Sequence, residues 1–217
     1  MTVPPPTAAT KDATVAYAEG WLPEDAPLLG ARARAGEVGL LPVSPLAGAT
    51  LRLLAAVTDA RGAIAELGTG TAVSTLWLLR GMSPDGVLTT VDTEGEHHRL
   101  ARAALAEAEV PAARTRLITG RAQEVLPRLA EGAYDLVHVD VPLEQALDLL
   151  AEAVRVLRPG GVLAISRAMA GGRVADGAAR DADAVAARGL GRVLRDDERL
   201  TPLLLPVGEG LLVVVRA

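Results

Sequence analysis

The sequence predicts an α/β fold with a doubly wound, mostly parallel sheet. Three observations carry this. Short apolar runs alternate with helical patterns from residue 63 onward, the order of a parallel sheet with crossover helices. The first run ends in the paired-glycine turn Gly68-Thr69-Gly70, which leads into a helical pattern. The last two apolar runs flank Gly208-Glu209-Gly210 with no helix between them and read as an antiparallel hairpin.

Taken in order, residues 1–12 (MTVPPPTAATKD) read as a disordered, Pro-rich tail without the apolar core of a signal peptide. Residues 13–217 form one domain, with 13–60 as a helical cap and 61–217 as the core. Helical patterns lie near 11–21, 24–38 and 44–58, the third with Leu46, Leu51, Leu54 and Val57 on one stripe. Strand Ala63–Leu67 and helix Thr71–Leu79 follow. The turn Pro84-Asp85-Gly86 introduces strand Val87–Val91, and His97–Ala108 is an Arg/Glu-laced helix. Strand Thr115–Thr119, helix Gln123–Ala130, strand Tyr134–Val139 and helix Leu143–Val156 continue the alternation. The turn Arg158-Pro-Gly-Gly161 leads to strand Val162–Ser166, then a helix at about 178–194. The hairpin runs Leu200–Val207 and Leu211–Arg216.

Composition excludes several function classes. There is no cysteine, so disulfides, thiolate metal sites and cysteine nucleophiles cannot form, which fits a cytoplasmic location. A net charge of −5 argues against nucleic acid, whose binding needs phosphate neutralisation. No apolar run approaches the ~18 residues of a membrane span. Half of the chain is apolar but only Tyr17, Trp21, Trp77 and Tyr134 are aromatic, so Leu, Val and Ala build the core.

Gly68 and Gly70 sit where the first strand becomes a helix, which lets backbone amides approach a ligand. Asp92 ends the second strand, 22 residues after Gly70, where a carboxylate accepts from ribose hydroxyls. Together they point to an adenosine-type ligand. A dinucleotide is disfavoured, because the slot of its third glycine is Val73. Glu66, two before Gly68, would repel a pyrophosphate and suits a cationic amino-acid moiety. The Tyr–Lys pair of short-chain dehydrogenases is impossible, since the only lysine, Lys11, has Thr7 four residues before it. S-adenosylmethionine is the ligand that remains.

The segments AELGTGTAVS, LTTVDTEGEHHRLARAAL, ITGRAQEVLPRL, YDLVHVD and VLRPGGVLAIS, in that order, resemble the motifs of class I S-adenosylmethionine-dependent methyltransferases. The series is similar to the catechol and caffeoyl-CoA O-methyltransferase family, above all its small bacterial members. The resemblance covers about residues 15–217. It implies a Rossmann-like seven-stranded fold, a homodimer, and methyl transfer to an oxygen of a small-molecule acceptor, leaving S-adenosylhomocysteine. It also implies cofactor contacts at Val43, Glu66, Gly68, Thr69, Gly70, Ser74, Asp92, Ala122 and Asp140. Ser74 otherwise only satisfies its own turn, and Ala122 is otherwise small-residue packing.

Members of that family that act on catechols hold a divalent cation with an Asp after the fourth strand and an Asp-Asn pair after the fifth. Here Asp140 is present, but the pair reads Ser166-Arg167, a poor setting for Mg²⁺, and no metal is expected. Arg167 either supplies a fixed cation in place of the metal or pairs with Asp140 and closes the site. His138, two before Asp140 on the same strand face, is either a general base or a core histidine. His97 and His98 read as solvated residues opening an exposed helix. The loss of the metal pair keeps a second function open, a non-catalytic binder of S-adenosylmethionine or S-adenosylhomocysteine.

Overall fold

The computed structural model describes residues 8–58 and 62–217. Its centre is a seven-stranded sheet of order β3-β2-β1-β4-β5-β7-β6. The strands are β1 (Ala63–Leu67), β2 (Val87–Asp92), β3 (Thr115–Thr119), β4 (Tyr134–Val139), β5 (Leu157–Ser166), β6 (Leu200–Leu205) and β7 (Leu211–Arg216). β1 to β5 are parallel, and β7 runs antiparallel to both β5 and β6. Pro202, which has no N–H to give a ladder, lies on the edge strand β6.

Both faces of the sheet are covered, which is why its central strands are apolar almost throughout. Ile64, Leu88, Leu136 and Val162 face one layer, built from helices α2 (Ala26–Glu37), α3 (Pro45–Thr58), α4 (Val73–Leu79) and α5 (Gly95–Glu107). Ala65, Leu67, Val137 and Val139 face the other, built from α6 (Ala122–Val125), α7 (Leu143–Val156) and α8 (Ala182–Asp196). α7 shows the required period, burying Leu143, Ala146, Leu149, Leu150, Ala153 and Val156. Each such Leu contributes roughly 1.5–3 kcal/mol on leaving water. β1 and β4 are neighbours although β2 and β3 intervene in the chain, so their carboxyl ends flank a topological switch point, where such sheets bind ligands.

Four expectations need correction. Helix α1 spans Ala8–Glu19, so helix begins inside the stretch read as a tail; the rest of that stretch, residues 1–7, lies outside the described residues. Its Ala-rich composition favours helix over coil, and the chain leaves the helix at Gly20. The helix expected over Gln123–Ala130 is one turn, α6, followed by a 3₁₀ turn at Leu126–Arg128, because Pro127 cannot donate a helical hydrogen bond. β5 starts at Leu157 rather than Val162: Leu157 pairs with Tyr134 before the Pro-Gly-Gly excursion shifts the register. α8 starts late, at Ala182, where Asp181 caps it by accepting from the Ala184 N–H at 3.1 Å.

Candidate active site

Gly68 and Gly70 adopt positive φ, +98° and +50°, and turn the chain from β1 towards α4. A Cβ on Gly68 would overlap the Asp140 carbonyl, so only glycine lets the ends of β1 and β4 come this close. The approach is fixed by Gly68 N donating to Val91 O at 2.8 Å and Asp140 N donating to Leu67 O at 2.7 Å. The Gly70 N–H donates to Asp92 Oδ2 at 2.9 Å. Asp92 Oδ1 accepts from the Glu94 N–H at 2.9 Å and lies 3.0 Å from His97 Nδ1. The acid at the end of β2 is thereby locked to the glycine turn.

A cavity of about 460 Å³ opens above this turn. Gly68, Thr69, Gly70, Ser74, Asp92, Ala122, Asp140, Arg167 and Val43 all line it. Val43 arrives on the loop between α2 and α3, which the N-terminal helices hold in place. Arg32 donates to the Val43 carbonyl at 2.9 Å while paired with Glu24, and Glu19 accepts from Ser44 Oγ and the Leu46 N–H at 2.8 Å. A second cavity of about 130 Å³ shares Leu41, Pro42, Val43, Asp140 and Arg167 with the first and adds Ser166 and Glu209. The two volumes meet at the Asp140–Arg167 pair.

Arg167 sits in the left-handed region (φ 59°), a costly conformation that aims its side chain back over the strand ends. Its Nη2 lies 3.0 Å from Asp140 Oδ1, a close ion pair without hydrogen-bond alignment, and this buried oxygen has no aligned donor. Asp140 thus keeps a buried carboxylate oxygen beside the Arg167 guanidinium, and both residues line both cavities. Among the described residues no cluster of three or more acidic or histidine side chains is placed to hold a metal ion.

Two predicted site residues lie behind the wall instead of on it. Glu66 is fully buried, and Oε2 accepts from Thr75 Oγ1 at 2.6 Å and Thr90 Oγ1 at 2.7 Å. Its side chain does not line the cavity, because the strand alternation turns it into the layer covered by α4. His138, also fully buried, lies on the same face, its Nδ1 3.4 Å from Glu66 Oε1 and its Nε2 2.9 Å from Ser166 Oγ. The pair of histidines opening α5 separates. His97 lines the cavity, whereas His98 is buried, 3.2 Å from Thr69 Oγ1 and 2.9 Å from Thr119 Oγ1. α5 starts two residues earlier than expected, and His98 falls on its inward stripe with Ala101 and Leu105. Burial outweighs the nearby Asp92 charge and pushes the His98 imidazole below its ordinary value.

Sequence reasoning missed the wall formed by Leu40, Leu41 and Pro42. Its signal was an apolar stretch lacking helical period between two helices. An adenosine-type ligand with a cationic tail fits this lining: a carboxylate at the end of β2, Ala122 at the start of α6, and the Asp140 carboxylate where the cavities meet.

A sequence model described as O-methyltransferase matches residues 31–217. A protein of Mycobacterium tuberculosis named as an O-methyltransferase is 55% identical over 202 residues, 93% of this chain and 89% of that one. A crystal structure of a Corynebacterium glutamicum protein superposes with a TM-score of 0.88 at 33% identity, covering 95% of this chain and 97% of the other. The O-methyltransferase TomG of Streptomyces achromogenes, involved in tomaymycin synthesis and crystallised with S-adenosylmethionine, superposes with a TM-score of 0.84 at 29% identity, covering 95% and 96%. With the glycine turn, the strand-end acid and the crevice at the switch point already in place, these likenesses show that the chain belongs to the O-methyltransferase family.

Proposed function

We propose that the chain transfers a methyl group from S-adenosylmethionine to an oxygen of a small-molecule acceptor, without a divalent metal ion. The carrying observation is the Asp140–Arg167 pair where the two cavities meet. S-adenosylmethionine supplies an electrophilic methyl group on a cationic sulfur. Gly68, Thr69, Gly70, Ser74, Asp92, Ala122 and Val43 hold the cofactor in the larger cavity, with Asp92 towards the ribose and Asp140 towards the cationic end. The smaller cavity takes the acceptor, and Arg167 stabilises negative charge on its oxygen. In-line displacement gains most of its rate from such positioning.

The guanidinium supports metal independence, since a unit positive charge ~5 Å from a divalent cation at an effective ε of 20 repels it by roughly 7 kcal/mol. The O-methyltransferase names of the relatives favour an enzyme over a non-catalytic binder. Residues 13–217 are read as a single methyltransferase domain whose helical cap, 13–60, walls the site. Its setting is the cytoplasm, away from nucleic acid and membrane. The net charge of −5 supports a partner other than nucleic acid, and among the described residues no helix is long and apolar enough to cross a membrane. Calorimetry should return micromolar S-adenosylhomocysteine binding, about −8 kcal/mol, and no NAD binding. Turnover of labelled cofactor should persist in EDTA; activity that vanishes in EDTA and returns with Mg²⁺ overturns the metal-free reading.

A further inference from the structure

A line of polar side chains crosses the carboxyl end of the sheet beneath both cavities. Thr119 on β3 meets His98, then come Thr69 in the glycine turn, Thr90 on β2, Glu66 on β1, His138 on β4 and Ser166 on β5. With Glu66 taken as an accepting carboxylate and both histidines as neutral rings, one consistent set of bond directions follows. Thr90 donates to Glu66, so its oxygen accepts from the Thr69 hydroxyl; the Thr69 oxygen then accepts from His98 Nε2–H, and His98 Nδ1 accepts from Thr119. On the other side, a neutral His138 with its proton on Nδ1, towards Glu66, accepts from the Ser166 hydroxyl at Nε2. In that arrangement the Ser166 oxygen still has lone pairs to accept with, and Ser166 lines the smaller cavity.

We infer that Ser166, His138 and Glu66 form a relay that removes the proton from the acceptor hydroxyl. This rests on the methyl-transfer reading. The acceptor O–H bond breaks as its proton moves to Ser166 Oγ and the proton of Ser166 passes to His138 Nε2. The acceptor oxygen uses the freed pair to bond the methyl carbon, and the pair of the methyl–sulfur bond stays on sulfur. His138, now doubly protonated, faces the Glu66 carboxylate, and Arg167 faces the forming oxyanion. When product leaves, the proton returns through Ser166 to solvent. Ser166 touches the acceptor; His138 and Glu66 act through it.

The order explains why a histidine and a carboxylate with no accessible surface stand together among buried hydroxyls. A group that must gain a proton and lose it again works best with a fixed partner and no competing water. The other charged groups near the ring are few. Asp140 and Arg167 lie beyond Ser166, α4 has no ionisable residue, and Arg52, the only one on α3, is exposed.

The test uses the full chain, S-adenosylmethionine, and the probes 4-hydroxybenzoate and 3,4-dihydroxybenzoate. Ser166→Ala and His138→Gln should each lower kcat by about 10²-fold, with S-adenosylhomocysteine affinity within about threefold of wild type as the mark of a folded site. Their log kcat should climb with unit slope through the pH range where the wild-type profile levels. Ser166→Thr, which keeps the hydroxyl, should restore most of the rate. A second readout needs no turnover. The chain has three histidines, so nitrogen NMR resolves each ring; neutral His138 should carry its proton on Nδ1 and His98 on Nε2. Wild-type kcat and pH profile in either variant overturns the relay, and so does a His138 proton on Nε2. A wild-type chain inactive on both probes counts against methyl transfer to such acceptors, and the His138 tautomer still decides whether the relay stands. Variants that lose S-adenosylhomocysteine binding likewise leave the decision to that tautomer.

Discussion

Asp92 lines the larger cavity and also holds the turn: its two oxygens accept from the backbone of Gly70 and Glu94. Asp92→Ala should weaken S-adenosylhomocysteine binding by about 1.5–3 kcal/mol, through the lost charged acceptor and a loosened turn. Unchanged calorimetric affinity would place the ribose elsewhere. His98 gives a second prediction at this scale. Its folded pKa is depressed below 6.5, so the unfolded chain binds the proton more readily. The stability tied to the neutral ring is complete above about pH 6.5 and falls as the pH drops below it. The difference in Tm between wild type and His98→Gln should therefore shrink from pH 7.5 to pH 5.5. A difference constant across that range would show that the ring titrates alike in both states. The place of Asp92 at the cavity was legible, because the strand pattern puts it at the end of β2. The partners of Glu66 and His138 were not, because they come from Thr75, Thr90 and Ser166, far away in the chain.

At the scale of elements, strands and long helices follow hydrophobic period, and α7 and β1 fall where that period puts them. What period does not carry is local geometry: the turn of α6 stopped by Pro127, and the excursion inside β5. Helix contact is the same. Gly48 in α3 reads as a weak helix residue, yet it lies against the buried Trp77 ring of α4, which a Cβ would overlap. Gly48→Ala gains up to about 1 kcal/mol of helix propensity and loses about 1–3 kcal/mol to overpacking. Urea unfolding should show net destabilisation. A stabilised variant would mean that α3 and α4 can move apart freely.

Across the whole molecule, the cap helices bury Leu28 within the chain but leave Val15, Tyr17, Trp21, Leu29, Leu53 and Val57 exposed. The homodimer implied by family resemblance would cover apolar surface of this kind. Light scattering should return twice the 22.4 kDa chain mass, and the monomer mass at working concentration removes the dimer. The metal question also belongs here, because it joins two strand ends. Ser166→Asp with Arg167→Asn rebuilds the family pair beside Asp140 and should make turnover sensitive to EDTA; continued indifference to chelation would show that Asp140 is unable to share a cation.

The inward direction of the polar line makes the mildest substitution at its centre the most informative. Glu66→Gln changes almost no volume, but an amide has one accepting and one donating end. Thr75 and Thr90 both donate to the position of Oε2, so the amide oxygen belongs there and its NH₂ must face His138. That ring would then have to accept at Nδ1 and carry its hydrogen on Nε2, pointing at Ser166. On the inferred relay such a chain would lack the acceptor on Nε2 that takes the Ser166 proton, so its kcat should fall as in His138→Gln, and an unchanged kcat would count against that direction.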